Sequence, residues 1–179
     1  MARRRQAQEE FEGFVRAQAD RLVRVGYLMT GDLSEAEDFV QEVLARVARR
    51  WGRVATMQSP AGYARRVLVN IVIDSADGRS RRGHELADRA SWALGQRADP
   101  RSDEGFAAVD GRLNLLQALV VLPARQRAVL VLRYWEDLSE ADTAELLGIS
   151  PGTVKSMASR GLVRLREVLA GTESTKEVI

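Results

Sequence analysis

Hydrophobic residues recur at helical spacing through the first third of the chain. The clearest stripe predicts an amphipathic helix, because its members fall at i, i+1, i+4, i+5, i+8 and i+12: Phe39, Val40, Val43, Leu44, Val47 and Trp51. We expect this helix to follow Thr30-Gly31-Asp32, with a capping box formed by Ser34 and Glu37, and to end at Gly52.

Two further helices flank this segment. A first helix is predicted over about 8–29, and a third begins at Ser59-Pro60, a capping residue followed by proline at the first helical position. The third helix is expected to bury Ala64, Val67, Leu68, Ile71 and Val72, and a loop over 53–58 precedes it. Together these segments predict one helical domain over residues 1–77.

The helical pattern weakens after Asp77 and returns near residue 112. The glycine-rich stretch 78–111 is interpreted as a flexible linker, with a possible short helix near Leu86 to Leu94. Leucines from Leu113 onward build a helix and Pro123 opens another, and two more helices begin at Ser139 and Ser150. We therefore predict an all-α fold with a second domain over 112–172 and a tail over 173–179.

The segment from Leu138 to Ser156 has the spacing of a DNA-reading helix-turn-helix. Ser139 caps its first helix, Ala144 is small where two helices cross, and Gly148 allows a left-handed turn. Glycine four residues after the small residue and Val154 six residues later complete the pattern. The alternative is a helical hairpin that binds no DNA.

The second helix of this motif has two different faces. Val154, Ala158, Leu162 and Leu165 are spaced to face the core, and the opposite face carries Lys155, Ser156, Ser159, Arg160 and Val163. Basic side chains and hydroxyl groups near a helix N-terminus are suited to reaching the edges of DNA bases in the major groove. Met157 either packs inward or lies along the groove. The acidic residues of the first helix are expected to face away from DNA, or toward a basic protein: Glu136, Asp137, Glu140, Asp142 and Glu145.

Charge is segregated along the chain, although 27 Lys and Arg nearly balance 25 Asp and Glu. Residues 31–42 contain five acids and no base, whereas residues 59–83 contain five arginines and two acids. Opposite local charges suggest more than one charged partner, and the alternative is that each charged face is merely solvated. In the third helix Tyr63, Arg65, Arg66 and Asn70 combine stacking, charge and amide groups, which single-stranded bases require; packing is the alternative role for Tyr63.

Composition excludes several classes of function. The chain has no cysteine and one histidine, His84, so no thiolate zinc site, disulfide framework or catalytic residue can be nominated, and no cofactor, metal or small-molecule substrate is expected. No apolar run approaches the roughly 20 residues that cross a bilayer, which predicts a cytoplasmic protein without membrane insertion.

Taken together, four motifs resemble bacterial RNA polymerase sigma factors of the extracytoplasmic-function group, in particular the actinobacterial sigma-E-type branch. They are Ala36 to Leu44 with the following Arg-Arg-Trp, Ser59 to Asn70, Leu122 to Arg127, and Gly152 to Ser156. The resemblance spans nearly the whole chain. It implies a promoter-specificity subunit without catalysis of its own, with core RNA polymerase and promoter DNA as partners and an anti-sigma factor as a further candidate partner. A stand-alone helix-turn-helix regulator is the alternative.

The resemblance also implies residue roles. In 1–77, Asp38, Gln41 and Glu42 would dock on the clamp helices of the largest polymerase subunit. The loop from Val54 to Ser59 would capture a flipped base and melt the minus-ten element together with Tyr63, Arg65, Arg66 and Asn70. In 112–172, the minus-thirty-five element would be read by Thr153, Lys155, Ser156, Met157, Ser159 and Arg160. The linker would thread toward the polymerase active site and RNA exit channel.

Two positions depart from the family pattern. After Asn70 the family often continues into a dense arginine cluster, whereas here Asp74-Ser75-Ala76-Asp77-Gly78 interrupts it. Duplex phosphate contact near the minus-ten element would then be reduced or would shift to Arg79, Arg81 and Arg82. At position 157 many relatives carry a basic or polar residue, whereas this chain has Met.

Overall fold

The fold is described from a computed structural model, which covers the backbone of residues 2–87 and 110–176 and the side chains of 5–79 and 115–170. Within those ranges the ordered elements are helices and no strand occurs. The chain divides into two compact units, Met1–Val72 and Ile73–Ile179. The predicted fold class, all-α with two helical parts, is confirmed. The remaining linker residues 88–109, and with them most of the short helix expected near 86–94, lie outside the described residues.

The first unit is built on an antiparallel pair of helices, α1 (Ala2–Thr30) and α2 (Leu33–Arg49). The helices cross closely at Gly26, where an added Cβ would lie 3.1 Å from the Cβ of Ala36. Buried side chains from both helices form the core on this side: Leu22, Val25, Met29, Ala36, Val40, Val43 and Val47. Because α1 begins at Ala2, it is longer than the predicted range 8–29.

The turn between α1 and α2 corrects the predicted capping box. Gly31 adopts a positive φ of 78°, and Asp32 is the N-cap, its carboxylate oxygen accepting a hydrogen bond from the backbone N–H of Glu35 (2.9 Å). Ser34 already lies in the first turn of α2, so the predicted cap at Ser34 is wrong. Asp32 satisfies an otherwise open backbone donor at the start of the helix.

A short helix, α3 (Trp51–Val54), follows α2 directly. The indole of Trp51 packs against Phe11 and Phe14 of α1, with ring centroids 5.3 Å and 5.2 Å apart. Gly52 lies inside α3, so the prediction that it ends the preceding helix is wrong, and the predicted loop over 53–58 begins instead at residue 55. Val54 is fully buried and anchors the start of this loop.

Helix α4 (Pro60–Ala87) begins as predicted. The Ser59 hydroxyl accepts a hydrogen bond from the backbone N–H of Gly62 (3.0 Å). Its core residues Ala64, Leu68, Ile71 and Val72 are buried, whereas Val67 is half-buried. The helix continues through Ala87, so the prediction that helical order ends near Asp77 is wrong for residues 78–87. Glycine destabilises a helix interior by only about 1 kcal/mol, and Gly78 and Gly83 do not interrupt α4.

The second unit contains α5 (Asp110–Val120) and α6 (Ala124–Leu130), and α6 continues into a π-helical turn over Val131–Trp135. Pro123 is the N-cap of α6, as its place before the helix predicts. Arg127 ties the two helices together, donating from Nη2 to the carbonyl oxygens of Val120 (2.7 Å) and Leu122 (2.9 Å). These bonds satisfy the carbonyl group of Val120, the last residue of α5, and that of Leu122 in the turn that follows.

The predicted helix-turn-helix is formed by α7 (Glu140–Leu147) and α8 (Pro151–Lys176). The Ser139 hydroxyl accepts a hydrogen bond from the backbone N–H of Asp142 (3.0 Å), and Gly148 has a φ of 64°. Gly161 of α8 packs on α6, where an added Cβ would lie 3.1 Å from Leu130 Cδ1. Because α8 runs through Lys176, most of the predicted tail 173–179 is helical.

Candidate functional site

The acidic face of α2 is exposed to solvent. Asp38, Gln41 and Glu42 are all exposed, and their i, i+3 and i+4 spacing puts them on one side of the helix. Val40, Val43 and Val47 turn inward from the same helix. Glu42 forms an ion pair with Arg46 one turn later. The helix thus presents a polar surface while its apolar stripe holds the core.

The predicted single-strand contacts lie on α4. Arg66 and Asn70 are exposed, and Tyr63 and Arg65 are half-buried. The Tyr63 hydroxyl accepts a hydrogen bond from Arg50 Nη1 (3.3 Å), which joins α4 to the segment after α2. Tyr63, Arg66 and Asn70 follow at i, i+3 and i+7 and so share one helix face.

Three further arginines are predicted to extend this surface. Arg79 is half-buried on α4. Arg81 and Arg82 continue the same helix, but their side chains lie outside the described residues. The structure therefore brings Tyr63, Arg66 and Asn70 together and leaves the outer arginines as a prediction.

A basic cavity lies beside Tyr63. It is open to solvent, has a volume of about 380 Å³ and is lined by Arg46, Arg49, Arg50, Tyr63 and Val67. The three arginines are functional candidates that the sequence interpretation missed. Their signal was present: with Arg53 they recur at i, i+3, i+4 and i+7, and residues 43–73 contain six arginines and no acid. Guanidinium groups converging on a concave surface are suited to binding anions.

Helix α8 has the two faces predicted for it. Val154 and Ala158 are buried, and Leu162 and Leu165 are half-buried. The exposed side chains of its first three turns include five of the six predicted contact residues: Thr153, Lys155, Ser156, Ser159 and Arg160. Met157 is half-buried, and its carbonyl oxygen accepts a hydrogen bond from Gln126 Nε2 (3.5 Å).

Local hydrogen bonds order the exposed face of α8. The Ser150 hydroxyl accepts from the backbone N–H of Thr153 (3.1 Å), which caps the helix. Arg160 donates from Nε to the carbonyl oxygen of Ser156 (3.2 Å), so its guanidinium lies back along the helix toward the N-terminal turn. The cationic group and the Ser156 hydroxyl therefore lie on one continuous surface.

The acidic residues before and within α7 differ from their predicted arrangement. Glu136 is buried, and it precedes α7 because that helix begins at Glu140. The prediction that Glu136 belongs to an exposed acidic helix face is therefore wrong. Asp137, Asp142 and Glu145 are exposed.

Among the described residues, no group of three or more His, Asp or Glu side chains is placed to hold a metal ion. In the same part of the chain, the helices are all too short or too polar to cross a membrane. The arrangement presents two polar surfaces with cationic groups, one on α4 with its cavity and one on α8.

Both helical parts of the chain match known protein families. Residues 14–82 match the family described as Sigma-70 region 2, and residues 112–165 match Sigma-70, region 4. The chain is 38% identical over 160 residues to the RNA polymerase sigma-E factor of Streptomyces antibioticus, covering 89% of this chain and 84% of that protein. It is 35% identical over 164 residues to the RNA polymerase sigma-E factor of Streptomyces coelicolor, covering 92% and 88%.

A solved structure has a similar fold. The sigma factor RpoE from Bartonella quintana, in complex with the anti-sigma factor NepR, matches with a TM-score of 0.71 at 23% identity. The match covers 90% of this chain and 98% of that one. The predicted contact residues on α2, α4 and α8 all fall within the ranges of the two family matches.

Proposed function

This chain belongs to the sigma-70 family of RNA polymerase sigma factors, in its extracytoplasmic-function group, and on that premise we propose how it reads a promoter. Members of this family direct RNA polymerase to promoters to initiate transcription. In our proposal α8 reads the minus-thirty-five element as a duplex, α4 reads the minus-ten element as a melted single strand, and α2 docks on core polymerase.

The observation that carries the proposal is the division of α8 into a buried and an exposed face. Val154 and Ala158 are buried and pack α8 against the rest of the second unit. Lys155, Ser156 and Arg160 are exposed near the N-terminus of α8. A helix of this kind enters the major groove with its N-terminal residues at base edges. Thr153, Met157 and Ser159 complete the proposed minus-thirty-five contacts.

The minus-ten contacts are proposed on the exposed side of α4. Tyr63 offers an aromatic face, Arg66 a cation and Asn70 an amide, which suit stacking, phosphate neutralisation and hydrogen bonding to an unpaired base. Arg65, Arg79, Arg81 and Arg82 extend this surface in the proposal. Extruding a base costs a few kcal/mol, so we expect melting only when polymerase holds the complex together.

Docking on polymerase is proposed through Asp38, Gln41 and Glu42. Their exposure leaves the carboxylates available to a basic surface on the clamp helices of the largest subunit. We further propose a cytoplasmic site of action, domain boundaries at 1–77 and 112–172, and an anti-sigma partner comparable to the one that the Bartonella structure contains.

Reconstitution with core polymerase tests the docking assignment. We expect the purified chain to direct transcription from a defined set of promoters, and the variant Asp38→Arg with Glu42→Arg to lose polymerase association while keeping its helicity. The matched control, Glu12→Arg with Asp20→Arg, makes the same charge change at exposed positions of α1 and is expected to bind normally.

Two outcomes would contradict the proposal. Undiminished association of the Asp38 and Glu42 variant would refute the docking face. Tight sequence-specific duplex binding without polymerase, together with inactivity in its presence, would favour a stand-alone regulator.

A further inference from the structure

We propose that the cavity lined by Arg46, Arg49, Arg50, Tyr63 and Val67 is a phosphate-binding site. Its volume of about 380 Å³ is large enough for one phosphate group with its immediate substituents. Two sources carry this chemistry: a phosphodiester of the promoter single strand, or the polyphosphate of a free nucleotide.

The local charge favours an anion strongly. Between Glu42 and Asp74 the chain has six arginines and no acid, and three of these arginines line the cavity. Glu42 is the one acidic group described in contact with them, through its ion pair with Arg46. Both partners of that pair are about half exposed, at 46% and 47%. An exposed pair of this kind is weak, so a phosphate can compete for Arg46.

Each guanidinium is held in place by a different acceptor. Arg49 donates from Nε to the carbonyl oxygen of Ala45 (3.2 Å), and Arg50 donates from Nη1 to the Tyr63 hydroxyl (3.3 Å). Arg46 is oriented by Glu42. Each of these bonds uses one of the five N–H donors of a guanidinium group. The side chains are therefore oriented and retain donors that can reach a ligand.

Tyr63 adds a directional donor. Its oxygen accepts from Arg50, so its own hydroxyl proton can be donated to a phosphate oxygen. Forked guanidinium donors match the oxygens of phosphate in pairs. Val67 forms the apolar wall of the cavity and supplies no competing acceptor from its side chain.

The two sources differ in what they require. Tyr63 belongs both to the cavity and to the proposed single-strand surface, so a strand crossing α4 would bring its phosphates to the arginines. This source rests on the proposed function. A free nucleotide would need only the folded chain.

The first experiment uses the full chain alone and inorganic pyrophosphate as the probe. We expect saturable pyrophosphate binding, observed as shifts of the arginine Nε–H signals in NMR spectra. The variant Arg49→Gln with Arg50→Gln should bind at least about tenfold more weakly. The control Arg16→Gln with Arg24→Gln removes the same charge from exposed positions of α1 and should remain within about twofold of the parent. Equal binding by all three proteins, or no saturable binding, would overturn the proposal.

The second experiment separates the sources in reconstituted holoenzyme. For a strand source, one neutral methylphosphonate linkage in the non-template strand should shorten the lifetime of the open complex several-fold. It should have no further effect in the Arg49→Gln with Arg50→Gln holoenzyme. For a nucleotide source, no linkage should behave in this way, and an added nucleoside polyphosphate should change the lifetime in the parent holoenzyme but not in the Arg49→Gln with Arg50→Gln holoenzyme.

The outcomes remain distinguishable from failure of the proposed function. If the chain does not support transcription with core polymerase, the pyrophosphate experiment still tests the cavity. If pyrophosphate binds but neither holoenzyme response occurs, the assignment of the cavity to a promoter strand or to a free nucleotide is overturned.

Discussion

Thr143 carries a hydroxyl group into the core of the second unit. The residue is 0% exposed, and among the described residues its Oγ1 has no hydrogen-bond partner. A buried polar group without a partner costs about 1–3 kcal/mol. Replacing the hydroxyl with a methyl group removes that cost and leaves the volume nearly unchanged.

We therefore expect Thr143→Val to raise the free energy of unfolding by about 1 kcal/mol, measured by urea denaturation followed by circular dichroism. Thr143→Ser is the matched control, because it keeps the hydroxyl and loses the methyl group, and it should be less stable than the parent. A less stable valine variant would mean that the hydroxyl is satisfied in solution.

Exposure of individual contact residues could be predicted from spacing alone. Lys155, Ser156 and Arg160 are exposed where the helical period requires it, since Val154 and Ala158 turn inward from the same turns. Glu136 could not be placed in this way. It lies next to a π-helical turn, where the backbone departs from the α-helical period, and it is buried despite its charge.

At the scale of elements, the crossing of α1 and α2 depends on one missing side chain. An added Cβ at Gly26 would lie 3.1 Å from Ala36 Cβ and 3.4 Å from Ala36 Cα. At Gly13 of the same helix, nothing lies within 4 Å. An alanine substitution at Gly13 therefore tests helix propensity alone, whereas one at Gly26 also tests packing against α2.

We expect Gly13→Ala to stabilise the protein by about 0.5–1 kcal/mol, because alanine is the better helix former. Gly26→Ala should destabilise it, because overpacking typically costs about 1–3 kcal/mol and exceeds that gain. Thermal unfolding of both variants measures the difference. Adding Ala36→Gly to Gly26→Ala should restore much of the loss, and failure of that rescue would place the strain elsewhere.

Helix starts could be predicted where the sequence offers only one capping residue. Ser59, Ser139 and Ser150 each accept a hydrogen bond from the backbone N–H three residues later, as their positions predict. The start of α2 was harder, because Asp32 stands three residues before Glu35 just as Ser34 stands three residues before Glu37. The structure selects Asp32, which directly follows the left-handed Gly31.

Helix ends were predicted less well. After Pro60 no proline occurs before Pro100, and glycine weakens a helix without ending it, so α4 continues where its apolar pattern has faded. The cavity arginines were missed for a different reason. A basic cavity depends on two segments meeting, here the end of α2 and the start of α4, and local patterns do not report such a meeting.

At the scale of the whole molecule, the small formal charge of +2 conceals strongly charged segments. Residues 135–154 contain five acids and no base, and Lys155 begins the cationic face of α8 directly afterwards. Long-range attraction to DNA is thus concentrated on particular surfaces. Binding by the holoenzyme should accordingly depend on individual cations.

We expect Lys155→Ala to weaken holoenzyme binding evenly across promoter sequences and to reduce the salt dependence by about one phosphate contact. Arg160→Ala should instead lower discrimination at one base pair of the minus-thirty-five element by about 1–3 kcal/mol, since arginine forms paired bonds to guanine. Competition binding over a range of salt concentrations measures both effects. Arg166→Ala, exposed farther along α8, is the control. If Arg160→Ala weakens binding equally on all promoter sequences, Arg160 contacts the DNA phosphate backbone and not a base.

The π-helical turn at Val131–Trp135 affects how homologous sequences should be aligned with this chain. The backbone N–H of Glu136 bonds to the carbonyl oxygen of Val131 (3.0 Å), five residues back. Such a turn accommodates one residue more than an α-helical turn and is the natural position of a single-residue insertion. For a homologue that has an α-helical turn here and one residue fewer, the alignment gap therefore belongs within this turn. A gap set after it would shift the numbering of the whole downstream motif and credit the role of Arg160 to a neighbour.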